Sequence, residues 1–261
     1  MKIAVASNGH IPSKYAHSIN IMKHANAFFR LGHNVEILSV ERYSENKFIK
    51  QISNIHDFYG ISKLPLKNFK DNSIFYYYEK KLFGKLVKLL KFFFPKKIFE
   101  IQDPEKKISN YIKENSFDFC YARSYNLVKY NIINKIPTIL ETHNFTPEKT
   151  KDLMDVLRLS KSNYLKCIVT INKRLKDNFV KLGVDKKKIL VLNDAVDLIS
   201  FNNVLKKFSK SDLKKKNKIN NNKKVISYIG HLYRGRGIEY ILKASEKLKN
   251  YIFLIIGGTD E

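Results

Sequence analysis

Short apolar runs alternate with amphipathic helical patterns along most of the chain. Residues 2–7 predict a first strand, residues 18–31 predict a helix with one apolar face, and residues 34–40 predict a second strand. Further short strands are predicted at residues 117–122, 138–141, 168–171 and 189–192. Strands that alternate with helices are typical of a parallel sheet covered by helices, so the sequence predicts an α/β, Rossmann-like domain.

Some helix ends can be placed from capping residues. Asp103 followed by Pro104 predicts a helix start, because Asp caps the first amides and Pro fits the first turn. Residues 173–182 predict a helix that Gly183 ends. Residues 42–73 are ambiguous and predict at most one short strand.

The last part of the chain has the pattern of a second α/β unit. Val225–Ile229 predicts a strand, and the apolar positions from Ile238 to Leu248 predict one face of a helix. One β-α-β unit cannot bury a full sheet, so its apolar faces are expected to stay exposed or to pack on the first domain. The predicted organisation is a complete N-terminal domain over residues 1–197, a basic linker over 198–222 and an incomplete second domain over 223–261.

Composition limits the class of protein. The chain has 261 residues, 44% of them hydrophobic, which is enough to bury a core in one large domain or two smaller ones. No window reaches the about 18 apolar residues of a membrane span, and the chain opens on a strand, so no signal peptide and a cytoplasmic location are expected. Cys120 and Cys167 lie in or beside apolar runs and are expected to be reduced core residues.

The net charge of +25 favours anionic partners. One group of lysines lies in an Asn-rich segment that is expected to be a solvated linker or an exposed helix. Its members are Lys206, Lys207, Lys210, Lys214, Lys215, Lys216 and Lys218. A lysine-rich codon bias could account for part of the charge.

Residues 80–94 predict a basic amphipathic helix that ends at Pro95. Leucine and phenylalanine fill one arc of its helical wheel, and lysines fill the other arc. The lysines of the polar arc are Lys80, Lys81, Lys85, Lys88 and Lys91. Two interpretations stay open: a helix docked on the core with its lysines in water, or a helix that lies on an anionic membrane surface and makes the protein peripheral on its inner face.

The loop at residues 230–237 has a phosphate-binding layout. Glycines let the backbone approach an anion, the following helix offers unpaired amides and a positive dipole end, and Arg234 and Arg236 supply forked donors. A surface turn that happens to be basic is the alternative. A dinucleotide-dependent oxidoreductase is disfavoured, because the loop after the first strand has Gly9 where that fingerprint needs three glycines.

The chain resembles the family 4 (group 1) glycosyltransferases of the GT-B architecture, which has two Rossmann-like domains. The matching stretches are PSKYAHSINIMKHANAFFRLGHNVEIL, DFCYARS, IPTILETHNF, CIVTINKRLKDNFVKLGVDKKKILVLNDAVDLISF and VISYIGHLYRGRGIEYILKASEKLKNYIFLIIGGTDE. They cover most of the chain apart from roughly residues 42–115. Each motif alone is weak, but their occurrence in this order is specific.

The resemblance implies that the first domain holds the acceptor, the second holds a nucleotide-sugar, and transfer occurs in the cleft between them. His143 matches the family's active-site histidine, and its imidazole can hydrogen-bond a sugar hydroxyl or a developing charge; a structural histidine is the alternative. The expected acceptor-side residues are Gly9, His10, Ser13, Tyr15, His17 and Arg123. The expected donor-binding residues are Gly230, His231, Arg234, Arg236, Gly237 and Asn172.

The resemblance also implies a reaction that retains the configuration at the anomeric carbon and needs no metal or other cofactor. No Asp-x-Asp metal motif occurs, and cationic side chains would offset the charge on the leaving diphosphate. The chain departs from the family at His231, where Arg is usual, at Arg236, where Lys is usual, and at Asn172, where Ser is frequent. It also ends before the helix with two glutamates that holds the ribose and donor sugar, so the chain as given is expected to be inactive.

Three functional classes remain. The first is a glycosyltransferase, or its N-terminal fragment, that acts on a lipid-linked or cell-surface polysaccharide acceptor. The second is a non-catalytic membrane- or acceptor-binding remnant, which would lack donor binding. The third is a basic nucleic-acid binder, which the absence of a recognisable nucleic-acid motif disfavours and which would bind with a steep salt dependence.

Overall fold

The computed structural model describes residues 1–13, 15–41, 52–70, 103–145, 150–220 and 222–258. Chain contacts divide it into a first unit, Met1–Ala195, and a second unit, Val196–Glu261. The predicted basic helix at residues 80–94 lies outside the described residues, and its membrane role stays a prediction.

The first unit contains a seven-stranded parallel sheet. Its strands are β1 (Lys2–Ala6), β2 (Asn34–Glu41), β3 (Leu66–Lys70), β4 (Phe119–Ala122), β5 (Thr138–Thr142), β6 (Leu165–Thr170) and β7 (Ile189–Val191). Their order across the sheet is β3-β2-β1-β4-β5-β6-β7. The predicted parallel α/β fold is therefore confirmed.

Helices cover the two faces of this sheet. They are α1 (Ala16–Arg30), α2 (Ile55–Tyr59), α3 (Pro104–Glu114), α4 (Tyr125–Ile133), α5 (Thr150–Ser160) and α6 (Lys173–Lys181). Alternate residues of β1 enter different cores: Ile3 and Val5 join the cluster that α1 contributes to, whereas Ala4 and Ala6 join the cluster of α3 to α6. Burial on both faces explains why β1 is an unbroken apolar run.

Capping residues set several helix ends as predicted. The Asp103 side chain accepts a hydrogen bond of 2.9 Å from the Glu105 amide, with Pro104 in the first turn of α3. Gly183 has φ of +104° just after α6, a conformation that favours glycine. The described part of the ambiguous region, where at most one short strand was predicted, holds the strand β3 and also the helix α2, which was not predicted. Asn54 caps α2 by accepting from the amides of His56 and Asp57.

Strand ends differ from the prediction by a few residues. β6 begins at Leu165, three residues before the predicted start, and β4 begins at Phe119, two residues after it. Both cysteines are free, and Cys120 is buried. Burial raises the pKa of the Cys120 thiol to about 12, as expected for a reduced core residue.

The second unit holds three helices and a two-stranded parallel sheet in its described part. They are α7 (Leu198–Lys207), α8 (Lys210–Lys216), β8 (Lys224–Ile229), α9 (Ile238–Lys247) and β9 (Tyr251–Ile256). Paired positions at the strand ends are exposed: Ile229 by 76% and Ile256 by 47%. The predicted exposure of apolar residues is thus seen in this unit. The predicted linker, residues 198–222, forms α7 and α8, and its linker role stays a prediction.

Over the described part of the chain, no helix is both long and apolar enough to cross a membrane.

Candidate functional site

Buried polar groups fix the backbone of the loop that follows β1. His10 is 1% exposed, and its Nδ1 donates to the Val40 carbonyl oxygen at 3.3 Å. Ser13 exchanges two hydrogen bonds of 2.7 Å with the Tyr59 hydroxyl, and its own hydroxyl lies 2.6 Å from that of Ser18. His10 and Ser13 therefore fix the loop from inside, whereas the sequence predicted that they contact a ligand. That ligand contact stays a prediction.

Other predicted residues of this loop lie nearer the surface. Tyr15 is exposed, and its ring stacks on that of His17 with 5.9 Å between centroids. A Cβ atom on Gly9 would lie 2.3 Å from His17 Nε2, so any other residue at this position would require the His17 ring to shift. The backbone oxygen of His17 accepts a hydrogen bond of 3.4 Å from Arg123 Nη1. The loop is thereby connected to the carboxyl end of β4.

Arg123 connects α1 to the centre of the sheet edge. It follows β4 directly, and its Nη1 donates to Asn20 Oδ1 at 3.1 Å. Its Nε lies 3.9 Å from Glu141 Oε1, at the end of β5. Because β4 and β5 are neighbouring parallel strands, their carboxyl ends bring the two charged side chains to the same edge.

Glu141 is the buried centre of this cluster, with a side chain 3% exposed. His143 Nε2 is hydrogen-bonded to Glu141 Oε1, and His24 Nδ1 lies 3.9 Å from Oε2. The His24 ring stacks on Tyr121 with 5.3 Å between centroids. Burial, together with the nearby Glu141 carboxylate, raises the pKa of the Tyr121 hydroxyl, so Tyr121 stays neutral.

The turn after β5 is fixed by hydroxyl contacts. The Tyr125 hydroxyl lies 2.7 Å from Thr142 Oγ1, which donates to the Asn144 carbonyl oxygen at 3.1 Å. These bonds flank His143 and constrain the backbone that carries it. The His143 side chain is 24% exposed, so it reaches the surface while its partner Glu141 does not.

Asn172 has a structural task of its own. It follows β6, and its Oδ1 accepts a hydrogen bond of 2.8 Å from the Leu175 amide, which caps α6. Asn172 is exposed at the same edge of the sheet. Its predicted contact with a donor stays a prediction.

The glycine loop of the second unit lies at the carboxyl ends of β8 and β9. The Gly230 amide donates to the Ile256 carbonyl at 2.9 Å, and a Cβ atom on Gly257 would lie 1.8 Å from the Gly230 carbonyl oxygen. Only glycine allows this approach. Gly235 and Gly237 have φ of +90° and +80°, and Gly237 is the N-cap of α9.

The cations of this loop are exposed. Arg236 donates to the Tyr233 hydroxyl, and its guanidinium lies 4.7 Å from the centre of that ring. The ring centroids of His231 and Tyr233 are 5.6 Å apart. The His231 carbonyl oxygen accepts a hydrogen bond of 2.7 Å from the Tyr228 hydroxyl. Arg234 is exposed as well. The loop presents two guanidinium groups beside a helix start, although Glu239 in the first turn of α9 opposes an anion there.

Within the described ranges, no group of three or more His, Cys, Asp or Glu side chains is placed to hold a metal ion.

The structure brings together some predicted residues and reveals others. His17, Arg123 and His143 are connected through Asn20 and Glu141, which the sequence analysis did not select. An acidic residue at the end of an otherwise apolar strand was the available signal for Glu141. Nothing in the spacing of α1 indicates that Asn20 or His24 faces the end of β5.

Comparisons with known proteins concern the whole chain. No protein-family model matches it, and no curated protein gives a significant sequence match. Among solved structures, HepE of Anabaena in complex with UDP and glucose matches 99% of the chain and 61% of its own, with a TM-score of 0.60 and 15% identity. A glycosyltransferase from Rickettsia africae matches 98% of the chain and 60% of its own, with a TM-score of 0.62 and 16% identity.

A UDP-GlcNAc 2-epimerase from Neisseria meningitidis, bound to UDP-GlcNAc, shares the same fold. It matches 98% of this chain and 65% of its own, with a TM-score of 0.59 and 14% identity. The chain thus spans about three fifths of the length of these solved proteins. The likeness confirms the predicted GT-B-like α/β fold, which glycosyltransferases share with nucleotide-sugar epimerases.

Proposed function

We propose that the protein is a glycosyltransferase, or the N-terminal part of one, that transfers a sugar from a nucleotide-sugar to a lipid-linked or cell-surface polysaccharide acceptor. The observation that carries the proposal is the set of contacts joining His17, Arg123 and His143 at one edge of the sheet. In open α/β sheets, ligands bind at the carboxyl ends of the strands. The solved proteins of this fold that were described with UDP or UDP-sugars support the substrate class.

The proposed role of His143 is to contact a hydroxyl of the reacting sugar. Its imidazole reaches the surface while its other side is held by a buried carboxylate. Tyr15, His17 and Arg123 are proposed to contact the acceptor, since Tyr15 is exposed and the other two are partly exposed. Gly9, His10 and Ser13 serve this surface indirectly by fixing the backbone of the loop.

The proposed role of the 230–237 loop is to bind the donor diphosphate. Arg234 and Arg236 carry permanent charges, and Gly235 and Gly237 open the backbone before α9. In this proposal His231 adds a donor beside them, and Asn172 contacts the donor from the first unit. The positive side chains would offset charge on the leaving diphosphate, so the proposed reaction needs neither a metal nor another cofactor and retains the anomeric configuration.

Two alternative functions, an epimerase and a non-catalytic binding remnant, predict experimental results that differ from those of a glycosyltransferase. An epimerase is favoured by the fold shared with the UDP-GlcNAc 2-epimerase and would need no acceptor. A binding remnant is favoured by the exposed apolar residues of the second unit and would not bind a donor.

The test is calorimetry of the intact gene product with UDP, UDP-glucose and UDP-GlcNAc, followed by product analysis with and without a lipid-linked sugar acceptor. Donor binding together with acceptor-dependent transfer supports the proposal. Conversion of UDP-GlcNAc to its epimer without acceptor identifies an epimerase. Failure to bind any nucleotide-sugar overturns the proposal and leaves the binding remnant.

A further inference from the structure

A buried carboxylate lies directly behind the proposed catalytic histidine. Glu141 is 3% exposed, and burying a charge is costly unless it is paired and hydrogen-bonded. Its Oε1 accepts from His143 Nε2 and lies 3.9 Å from Arg123 Nε, which follows β4. Its Oε2 makes no hydrogen bond within the described residues and lies 3.9 Å from His24 Nδ1 of α1. A buried carboxylate is not required for packing at the end of β5, because a small apolar residue could fill the same place.

Glu141 accepts a hydrogen bond and lies beside a positive charge. Arg123 is positively charged at all ordinary pH values, and its Nε lies 3.9 Å from Oε1. An ionised carboxylate only accepts hydrogen bonds. The ring nitrogen that faces it, His143 Nε2, must therefore carry a hydrogen. In neutral imidazole the other nitrogen, Nδ1, is then an acceptor.

We infer that Glu141 is a positioning residue that holds the His143 ring through Nε2 and leaves Nδ1 as the acceptor for a substrate hydroxyl. The logic is that of a histidine oriented by a buried carboxylate, which fixes the tautomer and stabilises the imidazolium when a proton arrives. Arg123 shares the same oxygen, so the carboxylate also fixes the guanidinium that bonds Asn20 and the His17 backbone.

The hydroxyl belongs to a sugar only if the proposed function is correct, and the inference rests on it to that extent. The tautomer and the protection of the ring proton do not depend on any substrate. They can therefore be measured on the free protein, and their failure is distinguishable from a failure to bind nucleotide-sugar.

The first experiment is nitrogen-15 NMR of histidine side chains in the whole chain at about pH 8, above the ordinary histidine pKa of about 6.5. The His143 signals are assigned by their loss in His143→Asn. We expect an Nε2–H tautomer whose ring proton exchanges slowly with water, unlike that of the exposed His231. An Nδ1–H tautomer, or a ring proton that exchanges as fast as that of His231, would overturn the inference without any Glu141 variant.

The second experiment removes the carboxylate. Glu141→Gln keeps the side-chain volume and an amide oxygen that can still accept, so the Nε2 proton should stay partly protected. Glu141→Ala removes the acceptor altogether, and the slowly exchanging Nε2 proton should be lost. Glu36→Gln is the matched control, since Glu36 is a partly buried carboxylate that accepts from the Tyr111 hydroxyl at 2.9 Å. A protected His143 proton that persists in Glu141→Ala would show that another group holds the ring.

The third experiment separates positioning from simple stability. If Glu141 acts through His143, the loss of turnover in Glu141→Gln should largely disappear when His143 is already Ala, because the two residues form one unit. Equal fold losses in both backgrounds would mean that Glu141 acts independently of His143. The circular dichroism spectra of all four proteins establish that they are folded.

Discussion

At the carboxyl edge of the seven-stranded sheet, distant parts of the chain meet around Glu141 and its near neighbour His143, whereas the described side-chain contacts of the loop at residues 230–237 come from near neighbours. Glu141 meets residues of α1 and the Arg123 side chain, far away in sequence. Arg236 binds Tyr233, three residues away, and remains exposed. Long-range buried contacts fix geometry before a ligand arrives, and exposed local pairs leave side chains free to change partners.

This difference has a functional consequence under the proposed activity. Preorganised groups contribute mainly to the transition state, so changes at the first site should affect turnover. Adaptable cations contribute mainly to binding, so changes at the second site should affect affinity.

The largest effect is expected for His143→Ala in the active enzyme. General acid–base or hydrogen-bonding groups at a reacting centre contribute about 10²–10⁴-fold to rate, so kcat should fall by that order while donor affinity changes little. Steady-state kinetics and calorimetry measure the two quantities. His33→Ala, a histidine beyond α1, is the control. Near-normal turnover in His143→Ala would make His143 a structural residue and remove the contrast.

A second large effect concerns lipid instead of substrate. We propose that residues 80–94, which the sequence predicts to be a basic helix, bind anionic membranes, and each lysine near such a surface contributes about 1 kcal/mol. Changing Lys81, Lys85 and Lys88 to Gln should therefore weaken binding to anionic vesicles by about 100-fold, and added salt should weaken the wild type. Vesicle sedimentation measures both.

The matched control changes the same number of lysines elsewhere in the chain. Lys214, Lys215 and Lys216 of α8 become Gln, which removes the same charge elsewhere. Equal losses in the two triple variants would show that net charge, and not the 80–94 helix, attracts the protein to the membrane. Binding to neutral vesicles that is equally strong would exclude an electrostatic origin.

A smaller effect is expected for Arg236→Ala in the second unit. A charge-assisted hydrogen bond contributes about 1.5–3 kcal/mol, so donor affinity should fall by about 10- to 150-fold while kcat at saturation is nearly kept. Calorimetry with UDP-glucose measures the affinity. Tyr233→Phe is the informative companion, because it removes the hydroxyl that Arg236 binds in the free protein. An unchanged affinity in Arg236→Ala would place the donor phosphates elsewhere.

The sequence predicted the sheet better than it predicted the site. Strand and helix positions follow from local periodicity and caps, which explains why β1, β2 and the start of α3 were placed closely. The contacts of Glu141 with His24 and Arg123 arise only after α1, β4 and β5 have packed together. No local sequence pattern indicates these contacts. Glu141, at the centre of the cluster, was therefore not predicted, although His143 and Arg123 were.

Burial explains the other differences. His10 and Ser13 were expected to face a ligand because polar residues in a loop after a strand commonly do so. In the structure both residues are buried, with Val40 of β2 and Tyr59 of α2 as partners, while their contact with a ligand stays a prediction. Because residues 42–73 were ambiguous, α2 was not predicted, and neither was the contact of its Tyr59 hydroxyl with Ser13.

The smallest effect is expected at Asn172, where a structural and a binding role can be separated. Asn172→Ala removes the acceptor for the Leu175 amide and should lower the free energy of unfolding by about 1 kcal/mol, whereas Asn172→Ser should keep most of the cap. Urea denaturation measures this difference. If the polar side chain at this position also contacts the donor, as proposed, Asn172→Ala weakens donor affinity, whereas Asn172→Ser keeps a hydroxyl that can make the contact; if Asn172 only caps α6, neither variant changes donor affinity. We expect Asn172→Ser to bind donor like the wild type, because the resembling glycosyltransferases often have Ser at this position. If Asn172→Ser binds the donor more weakly while its unfolding free energy is kept, the amide of Asn172 contributes to donor binding. Residues at the edge of the seven-stranded sheet would then affect donor affinity as well as turnover.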